Sequence, residues 1–188
     1  MLSPKEAEKE LSIGAQLNSG PWIKHSMSVG LNAKRRKKMT EIQMWNEYIK
    51  INKNAKNYEA WSFGGNTPDM PDLLAELVLM GIKTATASAY PCYVAENAPL
   101  PPVGGYNLIL NTKGEAVCIT ETIKVYTIPF NQVKEEHAYK EGEFDRTLTS
   151  WRKCHSEIFS MELKEIDQEF TEDMIVVCEE FKVVYPMI

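Results

Sequence analysis

Lys83 is followed by Thr84, Thr86 and Ser88, spaced by alanines, in the run Gly81-Ile82-Lys83-Thr84-Ala85-Thr86-Ala87-Ser88. A long cation beside short hydroxyls can act on a polar ligand, whereas a lysine in a turn is most often simply solvated. Two acids bear on that choice. Val117, Ile119, Ile123 and Val125 share one parity of a strand, and Glu121 falls on the same apolar face. Glu179 stands in the same relation to Ile175, Val177, Phe181 and Val183. An inward carboxylate is costly unless it is paired or hydrogen-bonded, so such residues tend to mark sites. Lys83, Glu121 and Glu179 are therefore expected to form a polar cluster inside an apolar shell. A register flip or a bulge would instead leave Glu121 in water.

These residues need elements to position them. Leu73, Leu74, Leu77 and Val78 give an apolar helix stripe over Asp72 to Met80, with Thr67 as N-cap, Pro68 at the first position and Gly81 as left-handed C-cap. Thr84 to Tyr90 then reads as a strand, which puts Lys83 at a helix-to-strand junction beside residues too small to cover it. Upstream, Thr40 caps a helix with Ile42, Trp45, Tyr48 and Ile49 on one face, and Trp61-Ser62-Phe63-Gly64-Gly65-Asn66 forms an aromatic and glycine turn. That turn could be packing alone or part of a ligand site. Pro91 to Gly105 reads as a long loop, and Tyr106 to Asn111 with Ala116 to Thr127 as a hairpin around Lys113-Gly114. Asn131 caps a short helix, Gln132 to Lys140, and Asp145 caps a longer one to about Leu163, with Arg146 and Arg152 near its start. Asp173 to Tyr185 is the last strand.

The 188 residues suffice for one domain with a proper core. No apolar run reaches membrane-spanning length. Cys92, Cys118, Cys154 and Cys178 are widely spread, as are His25, His137 and His155, so neither a metal nor another cofactor is implied; reduced core thiols in a cytoplasmic protein are expected. Residues 1–38 differ from the rest and are expected to form a poorly structured extension, leaving 39–188 as the single domain. Their run Lys34-Arg35-Arg36-Lys37-Lys38 stands directly before a capped helix at Met39. Arginine codons of the AGG type there would spell a ribosome-binding site and place the natural start at Met39. Eight of the 21 Lys and Arg and three of the 26 acids fall in that stretch, so the remainder carries 13 against 23, a net −10. Such a body repels nucleic-acid backbone over most of its surface, and a small substrate in a pocket fits it better.

From about Trp61 to Val184 the chain resembles the ASCH superfamily, most closely its longer bacterial branch. The resemblance is carried in order by Trp61-Ser62-Phe63-Gly64, Gly81-Ile82-Lys83-Thr84-Ala85-Thr86, Glu141-Gly142-Glu143 with Asp145-Arg146, Trp151-Arg152, His155, and Val177-Cys178-Glu179. Phe144 departs from the pattern, where many relatives have glycine. The resemblance implies an α+β domain with a PUA-like, mostly antiparallel β-barrel and flanking helices. It also implies an amidohydrolase that removes the acetyl group from N4-acetylcytidine, with Lys83, Thr86 and Glu121 in the catalytic places. Ser62, Thr84, Ser88, Asp145, Arg146, Arg152 and Glu179 would then contact the substrate. A threonine hydroxyl needs a base to become a nucleophile, and a neutral lysine could serve, although a nearby carboxylate favours the ammonium form. Other family members bind or cleave RNA, a reading that would set Lys83, Arg146 and Arg152 on phosphate with Ser88 or Thr147 assisting. A noncatalytic barrel gripping a nucleoside through Lys83 and Glu179 is the third alternative.

Overall fold

The computed structural model describes residues 37–64 and 68–187. The chain divides into two units, residues 1–37 and 38–188, and only the second is described below. Residues 1–36 of the expected N-terminal extension and the Thr67 cap fall outside those described, whereas Met39 is a buried residue of the core beside the helix that follows it.

Helix α1 (Glu41–Ile51) opens on a full capping box, in which Thr40 and Gln43 exchange side-chain and backbone hydrogen bonds. Strand β1 (Glu59–Trp61) follows, where the sequence suggested only a turn. Helix α2 (Met70–Leu79) starts two residues earlier than its apolar stripe implied, because Pro71 fits the first turn and Asp69 stands at the N-cap. Strand β2 (Ala85–Ala89) leads directly into α3 (Tyr90–Glu96). That helix replaces the first part of the expected loop: Pro91 sits in the first turn, where its missing N–H costs nothing, and Asn97 closes the helix in the left-handed region. The hairpin β3 (Tyr106–Leu110) and β4 (Ala116–Pro129) forms as expected. A 3-10 turn, Phe130–Gln132, takes the place of the first turn of the expected short helix, and α4 (Glu135–Glu141) begins beyond it. Thr147, rather than Asp145, caps α5 (Leu148–Glu165), and β5 (Ile175–Tyr185) ends the fold.

The five strands make one sheet in the order β1-β3-β4-β5-β2, antiparallel except for the β1–β3 pair. Its two edges, β1 and β2, nevertheless line the same cavity, with Glu59 and Trp61 from one and Thr86 and Ser88 from the other. The sheet must therefore curl into a half-barrel. Register shifts in the long β4–β5 ladder, between Ile119 and Thr120 and between Thr122 and Lys124, supply the local twist. Helix α5 packs Trp151, Phe159 and Leu163 against Val176, Cys178 and Phe130. A separate cluster lies over β3 and β4, where Met44, Trp45 and Tyr48 of α1 cover Leu108 and Ile119. Burying a side chain such as Leu108 contributes about 1.5–3 kcal/mol, so these two layers hold the curl. No helix among the described residues is long and apolar enough to cross a membrane.

Candidate functional site

Helix α2 ends in a Schellman turn. The Gly81 and Ile82 N–H groups donate to the Val78 and Leu77 carbonyls, and Gly81 takes φ +68°. The turn delivers Lys83 inward, where its side chain is only 1% exposed and the ammonium lies 5.3 Å from the Phe63 ring centroid. Two carboxylates meet it: Lys83 Nζ donates to Glu141 Oε2 at 3.0 Å and to Glu143 Oε1 at 2.6 Å. Both are presented by the end of α4 and the glycine between them. Gly142 has φ +72°, and a Cβ there would stand 2.6 Å from the Ile82 carbonyl oxygen, so only glycine lets this turn approach so closely. The Thr84 N–H donates to the Lys140 carbonyl at 2.8 Å, closing the joint.

Further donors complete the cluster. His137 Nε2 and Trp151 Nε1 donate to Glu141 Oε1 at 3.1 and 2.7 Å, and His137 Nδ1 accepts from the Tyr126 hydroxyl at 3.2 Å. His155 donates from Nδ1 to the Trp151 carbonyl at 3.0 Å, which leaves its Nε2 3.5 Å from Glu141 Oε1. Burial alone would favour a neutral Lys83, but Glu141 and Glu143 outweigh it and the amine is pushed up to about 12. Burial alone would likewise raise Glu141; Lys83 and then the two imidazoles reverse this and hold the carboxyl well below the ordinary range. The pair is thus an ion pair at neutral pH.

Inside the half-barrel lies a cavity of about 370 Å³. Tyr58, Trp61, Phe63 and Tyr93 contribute aromatic lining, and Asn107, Thr122 and Glu179 are its polar residues on β3, β4 and β5. A chain of hydrogen bonds orients them. Trp61 Nε1 donates to Asn107 Oδ1 at 2.9 Å, which turns the Asn107 amide nitrogen toward Thr122 Oγ1 at 3.3 Å and Glu179 Oε1 at 3.4 Å. The Thr122 hydroxyl donates to the same Glu179 oxygen at 2.5 Å. Glu179 is 6% exposed, and no cation among the described residues pairs with it. Burial raises its carboxyl, Thr122 lowers it, and Glu59 adds a smaller upward push.

The residues singled out from sequence separate accordingly. Ser62, Thr86, Ser88 and Glu179 all line the cavity, with Ser88 Oγ 2.9 Å from the Tyr93 hydroxyl. Lys83 does not line it; its ammonium is covered by Phe63 and held by Glu141 and Glu143, although the residues beside it are small. Glu121 does not join Lys83. The bulges shift the parity of β4, so Thr120 and Thr122 are buried while Glu121 pairs with Lys182 at 3.0 Å and is 28% exposed. Thr84 Oγ1 donates to the Lys140 carbonyl, a joint rather than a ligand contact. Asp145 accepts from the Thr147 N–H and hydroxyl, Arg146 stacks 3.6 Å over Tyr139, and Arg152 donates to the Asn131 carbonyl. Those three lie outside the cavity. Glu141 and Glu143, the true partners of Lys83, stood in the sequence as the Glu-Gly-Glu part of the family pattern, with nothing in it that assigned them to the lysine. Phe144 takes φ +49°, which explains a preference for glycine at this position.

A curled, mostly antiparallel half-barrel with helices packed on it, and one cavity in its trough, defines an α+β domain of the PUA-like type. The ASCH domain model matches residues 59–185, and the chain belongs to that family. No curated protein matches the chain. Among solved structures, the ASCH domain from Lactobacillus crispatus JV V101 is similar at 33% identity and TM-score 0.72, over 76% of this chain and 92% of that one. A protein from Enterococcus faecalis V583 is similar at 34% identity and TM-score 0.70, over 75% and 85%.

Proposed function

We propose that the half-barrel cavity holds a single nucleobase, presented by a nucleoside or by an unpaired nucleotide of a short RNA. Glu179 carries this reading. It is a buried carboxylate with both of its hydrogen bonds on Oε1, which leaves Oε2 for the N–H of a ligand. Around it, aromatic rings offer a stacking face while Asn107, Ser88 and Thr86 offer in-plane partners, the combination that reads an unstacked base. The net charge of −10 beyond residue 38 disfavours an extended phosphate track. One base in a pocket avoids that repulsion.

Hydrolysis of an exocyclic amide, as in N4-acetylcytidine, is supported by Thr86. This residue lines both the base cavity and a neighbouring cavity that contains Glu141 and Glu143. Its hydroxyl could attack the acyl carbon while a carboxylate takes the proton and passes it to the departing base amine; water then cleaves the acyl ester, releasing the acid and restoring the hydroxyl. An ammonium cannot accept that proton, so Lys83 would position Glu143 instead. Phosphate-directed cleavage has less support, because Arg146 and Arg152 are engaged elsewhere.

Calorimetric titration with cytidine, N4-acetylcytidine and a short single-stranded RNA tests the reading, with acetate release followed in parallel. Binding that is lost in Glu179→Gln is expected, and acetate release, if it accompanies binding, should vanish in Thr86→Val. Failure of every ligand to bind would overturn the proposal.

A further inference from the structure

Two carboxylates line the half-barrel cavity, Glu179 buried on β5 and Glu59 exposed on the edge strand β1. Among the described residues no lysine, arginine or histidine lines it with them. Lys83 lies 5.3 Å from the ring centroid of Phe63, a lining residue, but its ammonium is shared by Glu141 and Glu143. Two carboxylates against one ammonium bring no positive field to the cavity. Tyr93 registers the negative field inside: burial raises its hydroxyl, Ser88 lowers it, and Glu179 and then Glu59 raise it further. Glu179 is what calls for a ligand. It is more than nine-tenths buried, and its two donors, the Thr122 hydroxyl and the Asn107 amide, both sit on Oε1. Neutral donors on one oxygen leave the charge itself uncompensated.

The aromatic lining suits a cation as well. Trp61 is held by its N–H on Asn107 Oδ1 at 2.9 Å, Tyr93 shares a hydroxyl hydrogen bond with Ser88 at 2.9 Å, and the Phe63 ring stands 4.7 Å from that of Trp61. These rings are fixed before a ligand arrives, and their π-systems attract positive charge. A neutral base can give Oε2 an N–H, but it leaves the carboxylate's charge buried. A base with a positive charge delocalised in its ring gives the same N–H, stacks on the same aromatics and neutralises Glu179. Resting on the nucleobase reading above, we propose that the preferred ligand of the half-barrel cavity is a nucleobase made cationic by alkylation of a ring nitrogen, with an exocyclic N–H on Glu179 Oε2. Bases alkylated at N7 of guanine, N1 of adenine or N3 of cytosine form that class, and each keeps an exocyclic N–H.

Calorimetric titration of the full chain, slightly below neutral pH, compares 7-methylguanosine, 1-methyladenosine and 3-methylcytidine with their unmethylated parents. The uncharged isomers N2-methylguanosine, N6-methyladenosine and N4-methylcytidine control for the added methyl group. At least one ring-methylated cation should bind about tenfold more tightly than both its parent and its uncharged isomer. That advantage should fall toward one in Glu179→Gln, with thermal unfolding followed alongside to confirm that the variant is folded. Equal or weaker binding of the charged forms would overturn the cationic-base proposal while leaving the base cavity standing. A cation advantage that persists in Glu179→Gln would overturn it too. Failure of every nucleoside to bind would overturn both readings together.

Discussion

The two buried acidic regions of this domain are built differently. Behind β2, Glu141 is met by an ammonium, an indole N–H and an imidazole N–H, and Glu143 closes on the same ammonium. In the trough of the half-barrel, Glu179 has only a hydroxyl and an amide, both on one oxygen. The first region is a completed network, and every buried side-chain polar atom among the described residues finds a partner. The second has spare acceptor capacity facing a void. A satisfied charge cluster organises a fold, whereas an under-satisfied charge at a cavity is available to a ligand.

The comparison breaks most visibly at Lys83. Lys83→Ala should cost about 3–5 kcal/mol in urea unfolding, because it strands two carboxylates in the interior. The opposite behaviour is expected of Glu179→Gln, which keeps the hydrogen-bonding shape but removes a poorly compensated charge. It should leave stability unchanged or slightly higher at neutral pH while weakening nucleoside binding by about tenfold or more, roughly 1.4 kcal/mol. A large loss of stability in that variant would erase the distinction between the two regions.

The pH dependence sharpens it further. Glu141 is held down, so its contribution to stability is full above the ordinary carboxylate range and is lost as the pH falls. Glu141→Gln should therefore flatten the acid limb of the stability profile. Lys83 is pushed up to about 12, so its contribution persists below the ordinary lysine value and disappears as the pH climbs through that point. Glu179 has the other sign from Glu141: its raised carboxyl favours the folded state in acid, and that contribution is lost as the pH rises through the folded value.

Two smaller changes serve as controls. Phe144→Gly, at φ +49°, should stabilise by about 0.5–1 kcal/mol by removing left-handed strain. Glu121→Gln should move thermal unfolding very little, about 0.5 kcal/mol or less, since its Lys182 partner is surface-exposed. A collapse of ligand binding in Glu121→Gln would return that residue to the site.

Local patterning was enough to place the helix before Gly81, the Lys83 junction, the hairpin and the inward position of Glu179, because each rests on periodicity or a cap within one segment. The same reasoning missed β1, whose three residues are too few to show a period, and read through Pro91 as loop although a first-turn proline is compatible with a helix. Glu121 was misplaced because parity counting assumes a ladder without bulges, and β4 has two register shifts against β5. Nothing local pairs Lys83 with Glu141 and Glu143, which lie 58 and 60 positions away in the chain. That meeting depends on Gly142 letting one turn press against another, and the joining of Thr86 to two cavities depends on the curl of the whole sheet. The amino-acid order determined most of the elements and the inward position of Glu179. Which charges then cancel, and which is left facing a cavity, was decided only by packing, because electrostatic pairing depends on distance in space and not on distance along the chain.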